Sequence, residues 1–366
     1  MSIKMFIIFP LYICIKKCYN IDTCINMQKC AEMIFIKEES IMFTLQKKKD
    51  KDFVILNLAD IQLSTDEWNP EHSHSRIVKH TVNTLIDKTH PDLITLSGDQ
   101  GWAGDLSAYV KVGELIDSYN IPWTFVWGNH DQQNGYEFLD SVLKEYSKFK
   151  NLIYENGPEE LGKGNFVIEI CDGNSPVYSL ILMDTHDRLP FINAEGKEEI
   201  MWAQIMPNQV EWYEHRINEL KSRGCNNSAI ITHIPIYAYI DAADKAFKSD
   251  IDRTTLSIEE SYGAECWNDG YKDSFGVQLE GICCYPKNDG VYEKIKELGS
   301  TKHYLCGHDH VNCTSIDYGN VRLTYALKTG PGCYWRPEMN GGTKLVVSSD
   351  GTTEVIHEFI DVGELL

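Results

Sequence analysis

Residues 123–131 read WTFVWGNHD. Trp123–Trp127 form an apolar run that predicts a buried strand. The run then stops on a glycine, an amide, an imidazole and a carboxylate. Capping of the turn accounts for Asn129 and Asp131, because both side chains readily bond their own backbone. It accounts less well for what happens at the other strand ends.

Upstream, FVILNLAD (53–60) is a second apolar run ending in Asp60, and DLITLSGD (92–99) a third ending in Asp99. Between them SRIVKHTVNTLIDKTH (75–90) carries apolar residues at helical spacing, as does YVKVGELIDSY (109–119). Strands alternating with amphipathic helices predict βαβ units and a mostly parallel sheet with covered faces. Downstream follow NFVIEI (165–170), YSLILMD (178–184), a long helix over 207–224, and NSAIITHI (227–234), which carries His233. A helix is predicted over 290–298, then a strand and turn in STKHYLCGHDH (300–310). SIDYG, VRLTYAL, TKLVVSS and TEVIHEFI, separated by turns, predict an antiparallel finish.

Asp60, Asp99, Asn129, His233 and the pair His308 and His310 thus all follow apolar runs at the carboxyl ends of predicted strands. In open α/β sheets ligands bind along that edge. Oxygen and imidazole donors suit Mn, Fe or Zn rather than a thiolate site.

Composition bounds the rest. The 366 residues are 43% hydrophobic and 24% charged, an ordinary globular mix with ample chain for a large core. A net charge of −20 argues against an extended nucleic-acid partner, which calls for a basic footprint. It leaves room for a small anionic substrate, since bound cations reverse the local sign. Residues 1–50 read as a poorly ordered or targeting extension ahead of a domain at 51–366. Their apolar run MFIIFPLYICI (5–15) is too short to span a bilayer and has the length of a signal-peptide core without a clear cleavage site. The compartment is thus open between the cytoplasm and, if residues 1–18 act as a signal, secretion; no transmembrane anchor is expected, and oligomeric state is not legible. Cys14, Cys18, Cys24 and Cys30 lack zinc-site spacing, and the other eight cysteines read as reduced core thiols.

The motifs ADIQ (59–62), SGDQ (97–100), GNHD (128–131), THIP (232–235) and CGHDH (306–310), in that order, resemble the calcineurin-like metallophosphoesterases over about residues 53–361. The resemblance implies a four-layer α/β/β/α double β-sandwich. It implies one divalent ion held by Asp60, Gln62, Asp99 and His310, and a second by Asp99, Asn129, His233 and His308, with Asp99 bridging. His130 would be the acid beside them and Asp131 its orienter. Two divalent ions lower the pKa of a shared water and clamp a phosphoryl group for in-line displacement. An imidazole placed at the leaving oxygen supplies its proton. The expected reaction is hydrolysis of phosphomonoesters or small phosphodiesters, on a phosphorylated small molecule or phosphoprotein. Alternatives are a nucleotidase or nuclease on the same centre, or a catalytically weak module that binds metal or phospho-ligands.

The chain departs from the family pattern at Gln62, where many members carry histidine, and it lacks both the tyrosine of purple acid phosphatases and the G-D-x-V-D-R-G run of phosphoprotein phosphatases. It resembles instead the purple-acid-phosphatase-like group without that tyrosine. An amide is a harder and weaker ligand than imidazole, so Gln62 tilts the first site toward Mn, Mg or Fe. Substrate contacts are assigned to His186 in MDTHD and to Arg336 in GPGCYWRPEMNGG, whose guanidinium suits phosphate. The insert 237–286 is aromatic, acidic and long for a connection, which fits a binding or lid role near the site as well as a packed surface excursion.

Overall fold

A computed structural model describes residues 42–102, 104–349 and 351–366. The signal-like run and the first four cysteines lie outside the described residues. Strand β1 (Met42–Gln46) leads into β2 (Phe53–Leu58), helix α1 (Ser73–Thr89), β3 (Leu93–Ser97), α2 (Leu106–Asp117) and β4 (Trp123–Val126). A one-turn helix α3 (Asn129–Gln132) and α4 (Gly135–Tyr146) follow, then β5 (Phe166–Asp172), β6 (Ser175–Leu182), β7 (Arg188–Ile192), β8 (Glu198–Trp202) and α5 (Pro207–Ser222). The second half holds β9 (Ser228–Ile231), α6 (Ala238–Ala246), α7 (Ile258–Ser261), α8 (Val291–Leu298), β10 (Thr301–Cys306), β11 (Ser315–Tyr318), β12 (Val321–Tyr325), β13 (Gly341–Val347) and β14 (Thr353–Phe359).

Two large sheets result. One has the order β14-β13-β2-β3-β4, the other β1-β5-β6-β9-β10-β12-β11. The alternation of each strand sorts its side chains into layers. Phe53, Ile55, Leu93, Val126 and Leu345 of the five-stranded sheet meet Phe166, Ile168, Leu180, Ile231 and Leu305 of the seven-stranded sheet in one central core. Leu56, Leu58, Ile94 and Phe125 point the other way, onto Val82 and Leu85 of α1, Val112 of α2 and Val142 of α4. Ile181, Ile230 and Tyr304 likewise meet Ile217 of α5, Ala242 of α6 and Ile295 of α8. Helix, sheet, sheet, helix is therefore the layer order, as the resemblance implies. Each large apolar side chain so buried contributes about 1.5–3 kcal/mol against exposure.

The first sheet is parallel through β2, β3 and β4. The tail is mostly antiparallel: β11 pairs antiparallel with β12, and β13 antiparallel with both β14 and β2 of the first sheet, whereas β12 runs parallel to β10. Two elements differ from expectation. The compact unit begins at Met42 rather than at residue 51, because β1 adds to the edge of the seven-stranded sheet, parallel to β5. The hairpin β7–β8 stands between β6 and α5, where no strand was read. Much of the insert is packed: Phe247 and Trp267 are buried in the outer core, while residues 278–285 run beside the CGHDH turn, with Cys283 N–H donating to Asp309 (3.2 Å). All eight described cysteines are free thiols, six buried, Cys283 half-buried and Cys333 exposed. Among the described residues no helix is long and apolar enough to cross a membrane.

Candidate metal centre

Asp60, Gln62, Asp99 and Asn129 follow β2, β3 and β4; His233, His308 and His310 follow β9 and β10. The carboxyl edges of the two sheets meet there, and all seven side chains are buried, His308 being the most open at 8%. Contacts join the whole set. Gln62 Nε2 lies 3.3 Å from Asp99 Oδ2, and His233 Nε2 lies 3.4 Å from that oxygen. His233 Nε2 is 2.9 Å from Asn129 Oδ1 and 3.3 Å from His308 Nδ1. The His308 backbone N–H donates to both Asp60 oxygens (3.3 and 3.2 Å), and His310 Nε2 is 3.5 Å from Asp60. One oxygen each from Asp60 and Asp99 and a ring nitrogen of His310 lie within 4.8 Å of one another.

The motif glycines have a steric cause. A Cβ on Gly128 would sit 2.1 Å from Asp99 Oδ1, and one on Gly307 would sit 2.6 Å from Asp60 Oδ2. GNHD and CGHDH therefore need glycine where a carboxylate from a neighbouring strand end occupies the side-chain space. Four of the seven side chains hang on left-handed backbone: Asp60 (φ 54°), Gln62 (50°), Asp99 (47°) and His308 (80°). Such conformations cost free energy and persist where surrounding structure enforces them, which is common at functional sites. For Asp60 part of that enforcement is Lys328, a buried ammonium that donates to the Asp60 carbonyl. Burial pushes the Lys328 pKa down to about 8.

The donor set fits divalent cations. Nδ1 of His233 donates to Ser97 O (2.8 Å) and Nδ1 of His310 to Tyr334 O (2.9 Å), which turns each Nε2 toward the carboxylates. Metal-binding imidazoles are held in this way by backbone carbonyls. Gln62 Oε1 and His308 Nε2 are buried and have no protein partner, an arrangement that folded proteins otherwise avoid.

Charge is concentrated here. Burial raises the Asp99 pKa, but His233 outweighs it and holds the carboxyl below its usual range. Burial likewise opposes a charged His233 ring, yet Asp99 and Asp60 push its pKa up to about 10 in the metal-free protein. That raised pKa stabilises the metal-free fold most below the ordinary histidine value, and the contribution is lost as pH rises through about 10. With His233 as a ligand, a divalent ion would take the same Nε2 lone pair. Metal binding near neutral pH is therefore expected to release about one proton from His233, with affinity rising about tenfold per pH unit over this range. Titration calorimetry in buffers of different ionisation enthalpy measures the release; a value of zero would remove His233 as a protonated ligand precursor.

His130 lies at the rim. Its backbone N–H donates to Asp99 Oδ1 (2.9 Å), and its ring stacks on Trp102 at 5.3 Å and 20°. Gln133 Nε2 meets Nδ1 at 2.9 Å. An amide nitrogen only donates, so Nδ1 accepts and the neutral ring carries its proton on Nε2. Asp131 does not orient this ring, contrary to expectation. It is the cap: one oxygen accepts from Gly128 N–H (2.7 Å), the other from Gln100 N–H (3.0 Å) and the Tyr109 hydroxyl (2.8 Å).

The two expected substrate contacts each have protein partners. The His186 ring is held by Gln209 (3.1 Å) and Asp184 (3.5 Å). Arg336 is exposed and pairs with Glu338 at 3.7 Å. Residues missed in the sequence are the rings against the histidines: Trp102 on His130, Trp202 on His308 (4.6 Å) and Tyr334 on His310 (4.3 Å). Trp102 directly follows the SGDQ motif by one glycine, and Tyr334 is two residues before Arg336; proximity to a motif was the available signal.

Comparison with known proteins finds a family model and several relatives. The calcineurin-like phosphoesterase family model matches residues 53–312. The chain is 26% identical over 326 residues to phosphatase DCR2 of Saccharomyces cerevisiae, covering 82% of this chain and 51% of that protein. It is 24% identical over 341 residues to probable inactive purple acid phosphatase 28 of Arabidopsis thaliana, covering 84% and 78%. It is 25% identical over 274 residues to probable inactive purple acid phosphatase 14 of the same plant, covering 68% and 61%. The chain thus spans about half the length of the yeast relative.

Proposed function

The chain belongs to the calcineurin-like phosphoesterases, and from that premise we propose that it hydrolyses phosphomonoesters or small phosphodiesters with two divalent ions. The observation that carries this reading is the convergence of seven oxygen and nitrogen donors from both sheets, with Gln62 Oε1 and His308 Nε2 left without protein partners. In the reading, Asp60, Gln62, Asp99 and His310 hold one ion, and Asp99, Asn129, His233 and His308 the other; Mn, Fe and Zn all suit such donors. Bound ions supply a water of lowered pKa and positive charge for the phosphoryl oxygens. The chain supplies the rest. Ser97 O and Tyr334 O fix the ring tautomers of His233 and His310. Gln133 and Trp102 hold His130 with its Nε2 proton available to the leaving oxygen. Asp131 clamps the turn that carries both Asn129 and His130.

Turnover of p-nitrophenyl phosphate and of its bis ester, with added Mn and with chelator, tests the reading. Mn-dependent release of nitrophenolate is expected from at least one of them. A second reading, a phospho-ligand-binding module without turnover, draws on Gln62 and on the word inactive in the names of the plant relatives. Metal-dependent binding of phosphate without release from either ester would favour it. Gln62 has its own test. Its replacement by histidine is expected to tighten the first site and shift it toward Zn, since imidazole is the softer donor. Calorimetric titration of both proteins measures this; unchanged affinity for every ion would mean that Gln62 does not ligate.

A further inference from the structure

MDTHD (183–187) follows β6, and Arg188 comes next. Two hydrogen bonds tie this turn to the centre. Asp184 Oδ1 accepts from Gln132 Nε2 (2.8 Å), one residue beyond GNHD, and Thr185 Oγ1 accepts from Ile234 N–H (3.1 Å), one residue beyond His233. The β7–β8 hairpin starts from there: Ala203 N–H donates to Asp187 O (3.0 Å), and Arg188 stands opposite Trp202 in the ladder. Side chains directly opposite on one face of a hairpin touch, and the Arg188 guanidinium carbon lies 3.8 Å from the centre of the Trp202 ring. That ring meets the His308 ring at 4.6 Å. The guanidinium is thus no farther from His308 than these two distances laid end to end. Asp187 gives a second bearing. Burial raises its pKa, Arg188 and His130 lower it, and Asp99 raises it, so this carboxylate also lies within reach of the charges of the centre.

The Arg188 fork is unused. Among the described residues the guanidinium makes no hydrogen bond: Asp187 Oδ1 stands 3.9 Å from Nε, beyond hydrogen-bond reach, and that oxygen has no partner of its own. Stacking on the indole fixes the plane of the guanidinium without engaging its N–H groups. Its donors therefore stay available to an oxyanion at the rim of the centre. We propose that Arg188 binds a terminal oxygen of the substrate phosphate and thereby makes the centre selective for phosphomonoesters over phosphodiesters. The proposal rests on the phosphoesterase reading above. A monoester has three terminal oxygens and carries up to two negative charges. With two of those oxygens facing the candidate ligands, the third still offers the guanidinium a charge-assisted hydrogen bond. A diester has only two terminal oxygens, and its second ester group stands where the guanidinium calls for an anion.

The test uses the Mn-loaded full chain with p-nitrophenyl phosphate and its bis ester as substrates, and inorganic phosphate as a ligand followed by calorimetry. Arg188→Ala is expected to lower kcat/KM for the monoester about 10–100-fold, the range of one hydrogen-bonded contact to a charged group. Phosphate binding should weaken by a similar factor, while the bis ester rate and the metal content stay near wild type. Arg188→Lys keeps the charge without the fork and should recover part of the loss. Equal losses on both esters overturn the assignment, as does a phosphate affinity that Arg188→Ala leaves unchanged. A wild type that hydrolyses only the bis ester overturns it too. A wild type that binds phosphate and hydrolyses neither ester overturns the turnover reading instead, and the phosphate affinity of Arg188→Ala then decides the assignment by itself.

Discussion

Asp99→Asn is expected to yield a folded protein that keeps neither candidate ion after dialysis. One Asp99 oxygen accepts from His130 N–H, while the other faces both Gln62 and His233. An amide removes the negative charge and offers only one acceptor oxygen. Losing even an outer partner of a ligand costs metal affinity about 10–100-fold, so losing a shared carboxylate is expected to cost more than 100-fold at each site. Elemental analysis of wild type under saturating Mn should give two ions per chain, and the variant less than one after dialysis. Circular dichroism checks that the fold persists. A wild type that never exceeds one ion would end the dinuclear proposal, and a variant that retains both would end the shared role of Asp99.

His130→Ala is expected to separate chemistry from binding. Asn129 and His130 are adjacent, but only Asn129 lies among the candidate ligands; the His130 ring is turned toward Trp102 and Gln133. Its removal should lower kcat by roughly 10²–10⁴-fold, the usual range for general acid catalysis, while metal content stays near that of wild type. The loss should be smaller for p-nitrophenyl phosphate than for an alkyl ester, because nitrophenolate needs little protonation to depart. Asn129→Ala should instead lower metal occupancy and recover in part with excess Mn. Equal losses for aryl and alkyl esters after His130→Ala would leave the imidazole a positioning group rather than a proton donor.

The strands that deliver these residues were legible because each is a short apolar run with a polar end, and both signals are local. FVILNLAD, DLITLSGD and WTFVWGNHD contain what is needed to read a buried strand and a functional terminus. Strand β1 was not legible. MFTLQ is short and abuts a basic run, and its strand state depends on pairing with β5, far along the chain. The β7–β8 hairpin alternates between exposed and partly buried residues and carries Pro190, so neither strand has an apolar run to detect. Asp131 shows the limit most clearly. The choice between orienting His130 and capping the turn is made partly by Tyr109, which reaches it from α2. That contact is tertiary, and spacing within GNHD carries no trace of it. The capping reading of the motif thus holds for Asp131, while Asn129 turns toward His233.

The path of the chain through the five-stranded sheet has a consequence for biosynthesis. β2 pairs with β3 on one edge, but its other edge is filled by β13, near the carboxyl terminus. A ribosome completes the second partner of β2 only after the chain between Leu58 and Gly341 has been made, a delay of tens of seconds at about 5–20 residues per second. Throughout that interval Phe53, Ile55 and Leu56 belong to a strand with a bare hydrogen-bonding edge, the kind of surface on which nascent chains aggregate. Yield in a heterologous host should accordingly depend on chaperone supply during translation. A premature stop before Gly341 produces a polypeptide that contains every candidate ligand and cannot close the sheet that holds four of them.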